Sequence, residues 1–466
     1  MSRVVYERIK TICIFILIIA GILQVGILWG YQSQGTPIRF LLGLFGKDTQ
    51  ISSTVVQEKL FSPDRLVLSK GDRSHWIIGR DSDFFEELWN EAKQGLGSIA
   101  SGQVGLKLSD EEWGDIAEKR GFIADFGYVI EPELVKWFLG AGDKAQDLPA
   151  VQKLMIKPDI VDENASILYI YSTDGRVYLS DMIRYERNRG FGDIISEVAA
   201  ANQEYREYLT LRGSKIDKSM GAEPDVLYVQ SSPTYSPYYY QYRSEPPAKG
   251  GNKDELSGIV LGNEKERYNI RTGSDGTFQF SYGSNIYKYY ADGYLTYQYL
   301  GSASSSARGE VGDALMNAYK LIARVSDLNG ADVDIILTSV EKQKQGVYNF
   351  SFDYRLENMA VKLDMDMKDG NGEKLTHAIN IVADSRRVLK CDWLLRDFIK
   401  DKKSNYDDRF FELVKQTGLT HEEMNIRDMR FGYAISSTYE SILEPKLLIE
   451  MKDKTSLELA LMPEKG

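Results

Sequence analysis

The chain has 466 residues, of which 43% are hydrophobic and 27% are charged, and its formal net charge is −11. This composition is typical of packed cores and excludes global disorder, while the length predicts roughly two to four domains. An acidic chain repels the phosphate backbone, so the charge argues against a nucleic-acid partner. The two cysteines, Cys13 and Cys391, lie too far apart in the chain to predict a disulfide framework. Cys391 is interpreted as a small buried apolar residue.

The N-terminus has the pattern of a membrane anchor. Residues 1–10 contain Arg3, Arg8 and Lys10 and are predicted to be a cytoplasmic tail. Residues 11–29 are uncharged and rich in Ile and Leu, which is close to the ~20 residues that cross a bilayer. The positive-inside rule then places the body outside the cell membrane. A cleaved signal peptide is the alternative, but the apolar run is longer than a usual signal core and no Ala-x-Ala site follows it.

The predicted transmembrane helix also carries two interaction signals. Gly26 and Gly30 form a GxxxG pattern, which lets two helix backbones approach closely. Gln24 is a polar amide that would seek a partner within the membrane. At 100° per residue, Gln24 lies roughly opposite the two glycines. We therefore predict transmembrane interaction residues at Gln24, Gly26 and Gly30.

The body is predicted to have an α+β fold of mainly antiparallel sheets with packed helices. Residues 30–55 are interpreted as a juxtamembrane segment. Three α+β domains are predicted to follow, at residues 56–215, 216–330 and 331–466. In the first of these, Asp83 and Glu86 predict a capped helix, Ser109 and Glu112 a second helix, and Pro132 the start of a third. A hairpin is predicted around Thr173-Asp174-Gly175-Arg176, and a long helix is predicted from Phe191 to Leu211.

The predicted central and C-terminal domains show alternating strands and turns. A tyrosine-rich stretch from Tyr235 to Tyr242 is interpreted as a strand or an ordered connector. The alternative is a surface on which a nucleic acid or a sugar stacks. Turns at Gly283-Ser284-Asn285 and Ala291-Asp292-Gly293 predict an antiparallel meander. The other predicted elements are a helix from Glu310 to Val325, strands at Tyr348–Tyr354, Ala378–Ala383 and Val388–Trp393, a helix at Arg409–Gln416, and strands at Met429–Ala434 and Lys446–Met451.

Enzymatic and metal-binding motifs are largely missing from the sequence. It contains no Walker A, GxGxxG or GxSxG motif. His421-Glu422-Glu423-Met424-Asn425 has Asn425 where a zinc-binding HExxH motif requires its second histidine. The acids of Asp364–Asp369 are best explained as the solvent face of a strand, and Asp369-Gly370-Asn371-Gly372 as a turn. The sequence therefore predicts no catalytic residue, metal site or cofactor.

Four segments together resemble the YycH-type regulatory proteins of Gram-positive bacteria. They are the anchor start Glu7-Arg8-Ile9-Lys10-Thr11, the meander Tyr289–Leu295, the strands around Ile379-Asn380-Ile381 and Val388-Leu389-Lys390, and the segment Ile426–Tyr433 followed by Glu444-Pro445-Lys446. Pro445 is followed by Lys446, where the family pattern has an aromatic residue. The resemblance covers most of the chain through the order and spacing of its elements.

This resemblance implies a single-pass, non-catalytic protein with an extracytoplasmic three-domain region. It implies action with a YycI-like sister protein on a WalK (YycG) sensor histidine kinase, which governs cell-wall metabolism. The alternatives are an extracytoplasmic enzyme that hydrolyses cell-wall glycans through two unrecognised carboxylates, and a sensor that binds a wall fragment through the tyrosine-rich stretch.

Overall fold

The structure is a computed structural model. It describes residues 51–466 except 142–147, 186, 188, 202–204, 213–221, 230–237, 302–309, 330–332, 345, 364–373, 408, 416, 419, 421–423, 437–440, 454 and 464–466. The predicted anchor at 11–29, with Gln24, Gly26 and Gly30, therefore lies outside the described residues. So do the acidic stretch at 364–369 and the start of the histidine motif at 421–423. Among the described helices, none is both long enough and apolar enough to cross a membrane.

The described residues include helices and strands distributed along the whole body. The helices are α1 Ser53–Leu60, α2 Asp83–Ala100, α3 Trp113–Ala117, α4 Pro132–Phe138, α5 Phe191–Ala200, α6 Lys253–Leu261, α7 Val311–Val325 and α8 Phe410–Lys415. Short 3-10 helices occupy Ala248–Gly251, Gly262–Arg267 and Ser326–Leu328.

Strands make up most of the regular structure. The first ten are β1 Arg65–Ser69, β2 His75–Ile78, β3 Leu106–Leu108, β4 Gly121–Ile130, β5 Val151–Pro158, β6 Ala165–Tyr171, β7 Val177–Ser180, β8 Ile183–Arg184, β9 Glu207–Thr210 and β10 Leu227–Val229. Next come β11 Tyr238–Glu245, β12 Asn269–Thr272, β13 Phe278–Tyr282, β14 Asn285–Tyr289, β15 Tyr294–Tyr299, β16 Asp334–Lys344, β17 Val347–Leu356 and β18 Met359–Leu363. The last are β19 Ile379–Asp384, β20 Val388–Leu394, β21 Asp397–Asp407, β22 Ile426–Ile435, β23 Ser441–Leu443, β24 Lys446–Met451, β25 Ser456–Ala460 and β26 Met462–Pro463.

These strands form three sheets. The first sheet has the order β10-β9-β2-β1-β4-β5-β6-β7-β3, with β8 beside β6. The second has the order β12-β13-β14-β15-β20-β19-β17-β18-β22-β24-β25, with β16 on β17. The third is β23-β11-β21-β26. Pairing is antiparallel except where β18 runs parallel to β22, so the predicted α+β class with mainly antiparallel sheets is confirmed for the described residues.

Local sequence explains several of these elements. The β6–β7 hairpin turns at Gly175, whose φ of +75° favours glycine, and the predicted hairpin is confirmed. The meander turns at Gly293, with φ +86°, where a Cβ atom would lie 2.6 Å from the Leu395 carbonyl oxygen. Helix α7 buries Leu315, Ala318 and Ile322 along one face, which is the period of an amphipathic helix.

Three predicted helices differ in detail from those observed. Ser82, not Asp83, caps α2: its hydroxyl oxygen accepts a hydrogen bond from the Phe84 backbone N–H at 3.2 Å. The second predicted helix was expected to end at Gly121. It is limited to the short α3, because Gly121 already belongs to strand β4. The long helix predicted from Phe191 to Leu211 was wrong beyond Ala200, because Glu207–Thr210 pairs with strands β2 and β10.

The domain boundaries predicted at residues 215 and 330 stay predictions. The first sheet includes β10, which follows residue 216, while the second sheet joins strands from both sides of residue 330. Helices from distant parts of the chain also meet. At Gly312 of α7, a Cβ atom would lie 2.1 Å from the ring of Trp137 in α4, so α7 needs a glycine there for this close approach.

Candidate functional site

The first and second sheets meet across a buried set of charged side chains. Eight residues form this set, which we call the junction network: Asp64, Arg65, Asp125, Lys153, Asp225, Arg355, Asp428 and Arg430. Four belong to or adjoin β1, β4 and β5 of the first sheet, Asp225 shortly precedes β10 of the same sheet, and three belong to β17 and β22 of the second. Four carboxylates face four cations, so the network is neutral as a whole. Buried charges in proteins need this kind of pairing, because isolated ions lose the hydration that water provides.

Arg65 joins the two sheets directly. Its Nη2 atom lies 2.9 Å from Asp125 Oδ2 in the first sheet and 2.7 Å from Asp428 Oδ1 in the second. Its Nη1 atom donates a hydrogen bond to the Met429 carbonyl oxygen at 3.4 Å. One guanidinium group therefore bridges strands that are more than 360 residues apart in sequence.

Asp64 forms the second bridge. Its carboxylate pairs with both Arg355 of β17 and Arg430 of β22, and its carbonyl oxygen accepts a hydrogen bond from Arg355 Nη2 at 3.0 Å. Arg430 in turn donates from Nε to Asp428 at 2.8 Å. The segment entering β1 is thus held by two strands of the second sheet.

A third branch extends the network along the first sheet to Lys153 and Asp225. Lys153 pairs with Asp225, which also accepts a hydrogen bond from Trp113 Nε1 at 3.0 Å. The Lys153 amino group lies 4.0 Å from Asp125, which completes the connection to Arg65.

The pairing shifts the ionisation of the network. Burial alone raises the pKa of Asp64, but Arg430, Arg355 and Arg65 together hold that pKa well below its ordinary value. Burial likewise raises the pKa of Asp428, and Arg430 and Arg65 reverse that effect and lower it. Burial lowers the pKa of Arg65, whereas Asp428 and Asp125 raise it above the ordinary value. All three groups are therefore charged at neutral pH.

A hairpin tip adds a polar contact beside the network. The β17–β18 turn is made by Glu357 and Asn358, both with positive φ (46° and 67°), as a two-residue hairpin turn requires. Asn358 Nδ2 donates to Asp81 at 2.7 Å, and its Oδ1 accepts from the Arg80 backbone N–H at 3.0 Å. The tip of a second-sheet hairpin is thus fixed to the loop that follows β2.

Two cavities flank the junction network. The first, of about 330 Å³, has a largely aromatic wall, and we call it the aromatic cavity; its lining includes Tyr205, Tyr208, Tyr228, Tyr239, Phe410 and Phe431. The second, of about 470 Å³, we call the basic cavity; its cationic lining is Lys59, Arg80, Arg355, Lys362, Lys374 and Arg430. Asp64 and Arg430 line both cavities and separate them. Volumes of this size are within the range of small-molecule sites.

One side-chain group in the basic cavity has residues of a hydrolytic triad but not its geometry. His377 Nδ1 lies 2.9 Å from Asp353 Oδ2 and 3.3 Å from Thr338 Oγ1. In a triad the acid and the nucleophile contact opposite ring nitrogens, whereas here both contact Nδ1. The arrangement is that of a histidine held by hydrogen bonds.

Asp64 and Asp428 are also unsuited to be the general acid of glycoside hydrolysis. A general acid of that reaction needs a raised pKa, and the pKa values of Asp64 and Asp428 are lowered. Across the described part of the chain, no group of three or more His, Cys, Asp or Glu side chains has a metal-binding arrangement. Cys391 is fully buried, as the sequence predicts, and burial raises the pKa of its thiol.

Comparison with known proteins identifies the architecture. The chain is similar to YycH from Bacillus subtilis, whose crystal structure it matches with a TM-score of 0.55 at 11% sequence identity. The match covers 90% of this chain and 98% of that chain. This chain has a YycH-like fold. No protein-family model and no curated protein sequence matches the chain.

Three of the segments that carry the sequence resemblance lie among the described strands and turns. Tyr289–Leu295 links β14 to β15, the two segments near Ile379 and Val388 are the paired strands β19 and β20, and Ile426–Tyr433 lies in β22. Strand β22 carries Asp428 and Arg430, so one of the resembling segments supplies two members of the junction network.

The tyrosine-rich stretch is a strand in its described part, as the sequence predicts. Tyr238–Glu245 is β11, at the centre of the third sheet of the YycH-like fold between β21 and β23. The ring of Tyr240 packs beneath Lys400 and Lys403, whose Nζ atoms lie 4.2 Å and 5.3 Å from its centre. Tyr242 is buried against Tyr433. These rings pack against the protein itself, in keeping with the structural interpretation of the stretch.

The sequence did not predict the junction network as a site. Of its eight members, only Asp428 and Arg430 were singled out, as part of the resemblance. The available signal was the Asp428-x-Arg430 spacing, which places two opposite charges on one face of a strand. On an antiparallel strand that spacing usually marks the solvent face, and only the tertiary fold shows that this face is covered by β1.

Proposed function

We propose that this chain is a membrane-anchored, non-catalytic regulator of a two-component sensor histidine kinase that controls cell-wall metabolism. In this proposal it acts through transmembrane and extracytoplasmic contacts with a WalK/YycG-like kinase and a YycI-like sister protein. The observation that carries the proposal is the YycH-like fold, which extends over 98% of the matched YycH chain. The sequence supports it with the uncharged run Thr11–Trp29 behind a basic tail.

Regulation of this kind requires only differential binding. A protein that binds one conformation of a kinase more tightly shifts the kinase toward that conformation, without any chemical step of its own. Moving an equilibrium from 1:99 to 99:1 takes an affinity ratio of about 10⁴. In this proposal the extracytoplasmic sheets and the transmembrane helix are two separate contact surfaces, and both contribute to such a ratio.

The test is a deletion strain that carries a reporter for the kinase pathway. Loss of the chain is expected to change reporter output, and a tagged full-length chain is expected to co-purify with the kinase and the sister protein from membranes. Alanine replacement of single acids, for example Asp353, is expected to leave regulation intact, whereas it would silence an enzyme that used that acid. An unchanged reporter together with no co-purification would contradict the proposal.

We further propose that the anchor is an interaction element and not only a tether. Helices in lipid associate through close packing and polar contacts, since apolar burial gives them no advantage there. Gly26→Ile with Gly30→Ile is expected to separate partner helices, and Gln24→Leu to remove a hydrogen bond worth roughly 0.6–2 kcal/mol. Both changes raise hydrophobicity, so membrane insertion is expected to persist while association and regulation decline.

A matched control distinguishes helix contacts from added bulk. Ile18 and Val25 lie on a third face, away from both Gln24 and the glycines, at 100° per residue. Ile18→Phe with Val25→Phe is therefore expected to leave association unchanged. If exchange of the whole segment for an unrelated transmembrane helix preserves co-purification and regulation, the outer domains carry the function alone.

A further inference from the structure

The basic cavity holds more positive charge than its own carboxylates neutralise. Its acids already have partners: Asp64 and Asp428 belong to the junction network, Asp353 pairs with His377, Glu450 with Arg427 at 2.9 Å, and Glu458 with Lys446 at 2.7 Å. Four lining cations, by contrast, have no carboxylate of a described residue within ion-pair distance: Lys59, Arg80, Lys362 and Lys374. Among the described residues, the cavity therefore has more cations than carboxylates free to pair with them, and this balance favours an anion.

Arg355 supplies buried donors at this cavity. Its side chain is 1% exposed, and only its Nη2 atom is used, in the contacts with Asp64. Its Nε and Nη1 atoms donate to none of the residues that the structure describes. Buried donors without acceptors are rare in folded proteins, because each loses its hydrogen bond to water without replacement.

Arg80 shows the same imbalance. Its Nε atom is buried and has no acceptor within the described part of the chain. Burial, followed by repulsion from Arg355, lowers the pKa of Arg80 to about 10. Two arginines that repel each other at one cavity wall form a favourable place for negative charge.

Part of the wall of the basic cavity is apolar. It includes Leu60, Phe126, Ile336, Leu337, Leu363 and Leu375. Lys59, Lys362 and Lys374 are exposed to solvent, whereas Arg355 is enclosed, so the lysines lie on the solvent side and the arginine on the inner side. Exposed cations of one sign attract anions toward the cavity, and enclosed donors hold them there.

We propose that the basic cavity binds a small molecule with an oxyanion head group, a carboxylate or a phosphate ester, on a short apolar body. Arg355 and Arg80 receive the head group, the lysines of the opening add long-range attraction, and the apolar wall contacts the body. The site lies against Asp64 and Arg430, so an occupant contacts the charges that join the two sheets. This proposal is independent of the proposed kinase partner, because binding is measured on the chain alone.

The test uses the full-length chain in lipid nanodiscs, with empty nanodiscs subtracted. The probes are hexanoate, hexyl phosphate, hexanamide and hexylammonium, observed by saturation-transfer NMR and titrated for affinity. The two anions share the body of the neutral and cationic probes, so only the head group differs. Hexanoate or hexyl phosphate is expected to bind at least tenfold more tightly than hexanamide, with no detectable hexylammonium binding. Preference for one of the two anions identifies the head group.

Lysine variants test the location without changing a residue of the junction network. Lys362→Ala with Lys374→Ala removes two exposed cations of the cavity and is expected to weaken anion binding at least tenfold. The matched control is Lys342→Ala with Lys344→Ala, which removes two exposed lysines of β16 that line neither of the two cavities described above. Arg355→Lys keeps the charge but removes the unused donors, and its folding is checked by thermal melting. Equal binding of all four probes, no binding of either anion, or equal losses in the cavity and control variants would each overturn the proposal.

Discussion

Replacing Arg65 with methionine tests whether the junction network holds the two large sheets together. Methionine keeps much of the length of the side chain but removes every donor. The change deletes the contacts with Asp125 at 2.9 Å and Asp428 at 2.7 Å, and it leaves both carboxylates buried. Their side chains are only 8% and 16% exposed, so water replaces the lost partner poorly.

The expected cost follows from that burial. Removing one member of a buried ion pair typically destabilises a protein by roughly 3–5 kcal/mol, because the remaining charge loses its partner. Asp428 keeps Arg430 at 2.8 Å and Asp125 keeps Lys153 at 4.0 Å, so the loss for Arg65→Met lies at the lower end of that range. An exposed pair is worth about 0–1 kcal/mol. The Lys107–Asp181 pair, at 3.0 Å with side chains 68% and 53% exposed, is a matched control within the first sheet. Arg65→Met is therefore expected to lose about 3 kcal/mol more than Lys107→Met.

The assay is denaturant unfolding of residues 53–466, with tryptophan fluorescence as the signal. A double-mutant cycle with Asp428→Leu isolates the contact between the sheets, and its coupling energy is expected to be on the order of 0.5–3 kcal/mol. If Arg65→Met and Lys107→Met cost the same, or if the cycle shows no coupling, the network does not join the sheets energetically.

Three further outcomes are expected. Burial lowers the pKa of His75 to about 4, against ~6.5 in an unfolded chain. Between these two pH values, His75 is therefore protonated in the unfolded chain and neutral in the folded chain. Stability should then fall by up to about 3 kcal/mol as pH drops from 7 to 4, and His75→Phe should flatten that slope in unfolding titrations; equal slopes would contradict the assignment. Residues 53–466 should melt cooperatively at a temperature unchanged by chelator or reductant, and a large decrease with either reagent would argue against folding without metal or disulfide. External protease on intact spheroplasts should degrade nearly the whole chain, whereas full protection would exclude an outward-facing body.

Elements with local signals were predictable from the sequence. The meander from Phe278 to Tyr299 and the β6–β7 hairpin depend on turns whose glycines need positive φ, and such turns are visible as short motifs. Helix α7 was visible because its apolar residues recur with the period of a helix. In each case neighbouring residues contain the information.

Elements with long-range causes were not predictable. The apolar stripe of Ile194 and Val198 continues through Ala201 and Tyr205, so the sequence favoured one helix to Leu211. Pairing of Glu207–Thr210 with β2 and β10 overrides that local preference. The junction network was not predictable for the same reason. Asp64 and Arg355 are in contact in the fold but nearly 300 residues apart in the sequence.

The long sequence separation within the junction network has a consequence for biogenesis. A chain emerges from the ribosome N-terminus first, so Asp64 and Arg65 are made long before β22 supplies Asp428 and Arg430. Until that strand arrives, strand β1 presents charges whose partners in the second sheet do not yet exist. Contacts of such high sequence separation form late and slow folding. Completion of the junction network is thus tied to synthesis of β22, and a chain truncated before Ile426 would have a complete set of first-sheet strands but lack Asp428 and Arg430.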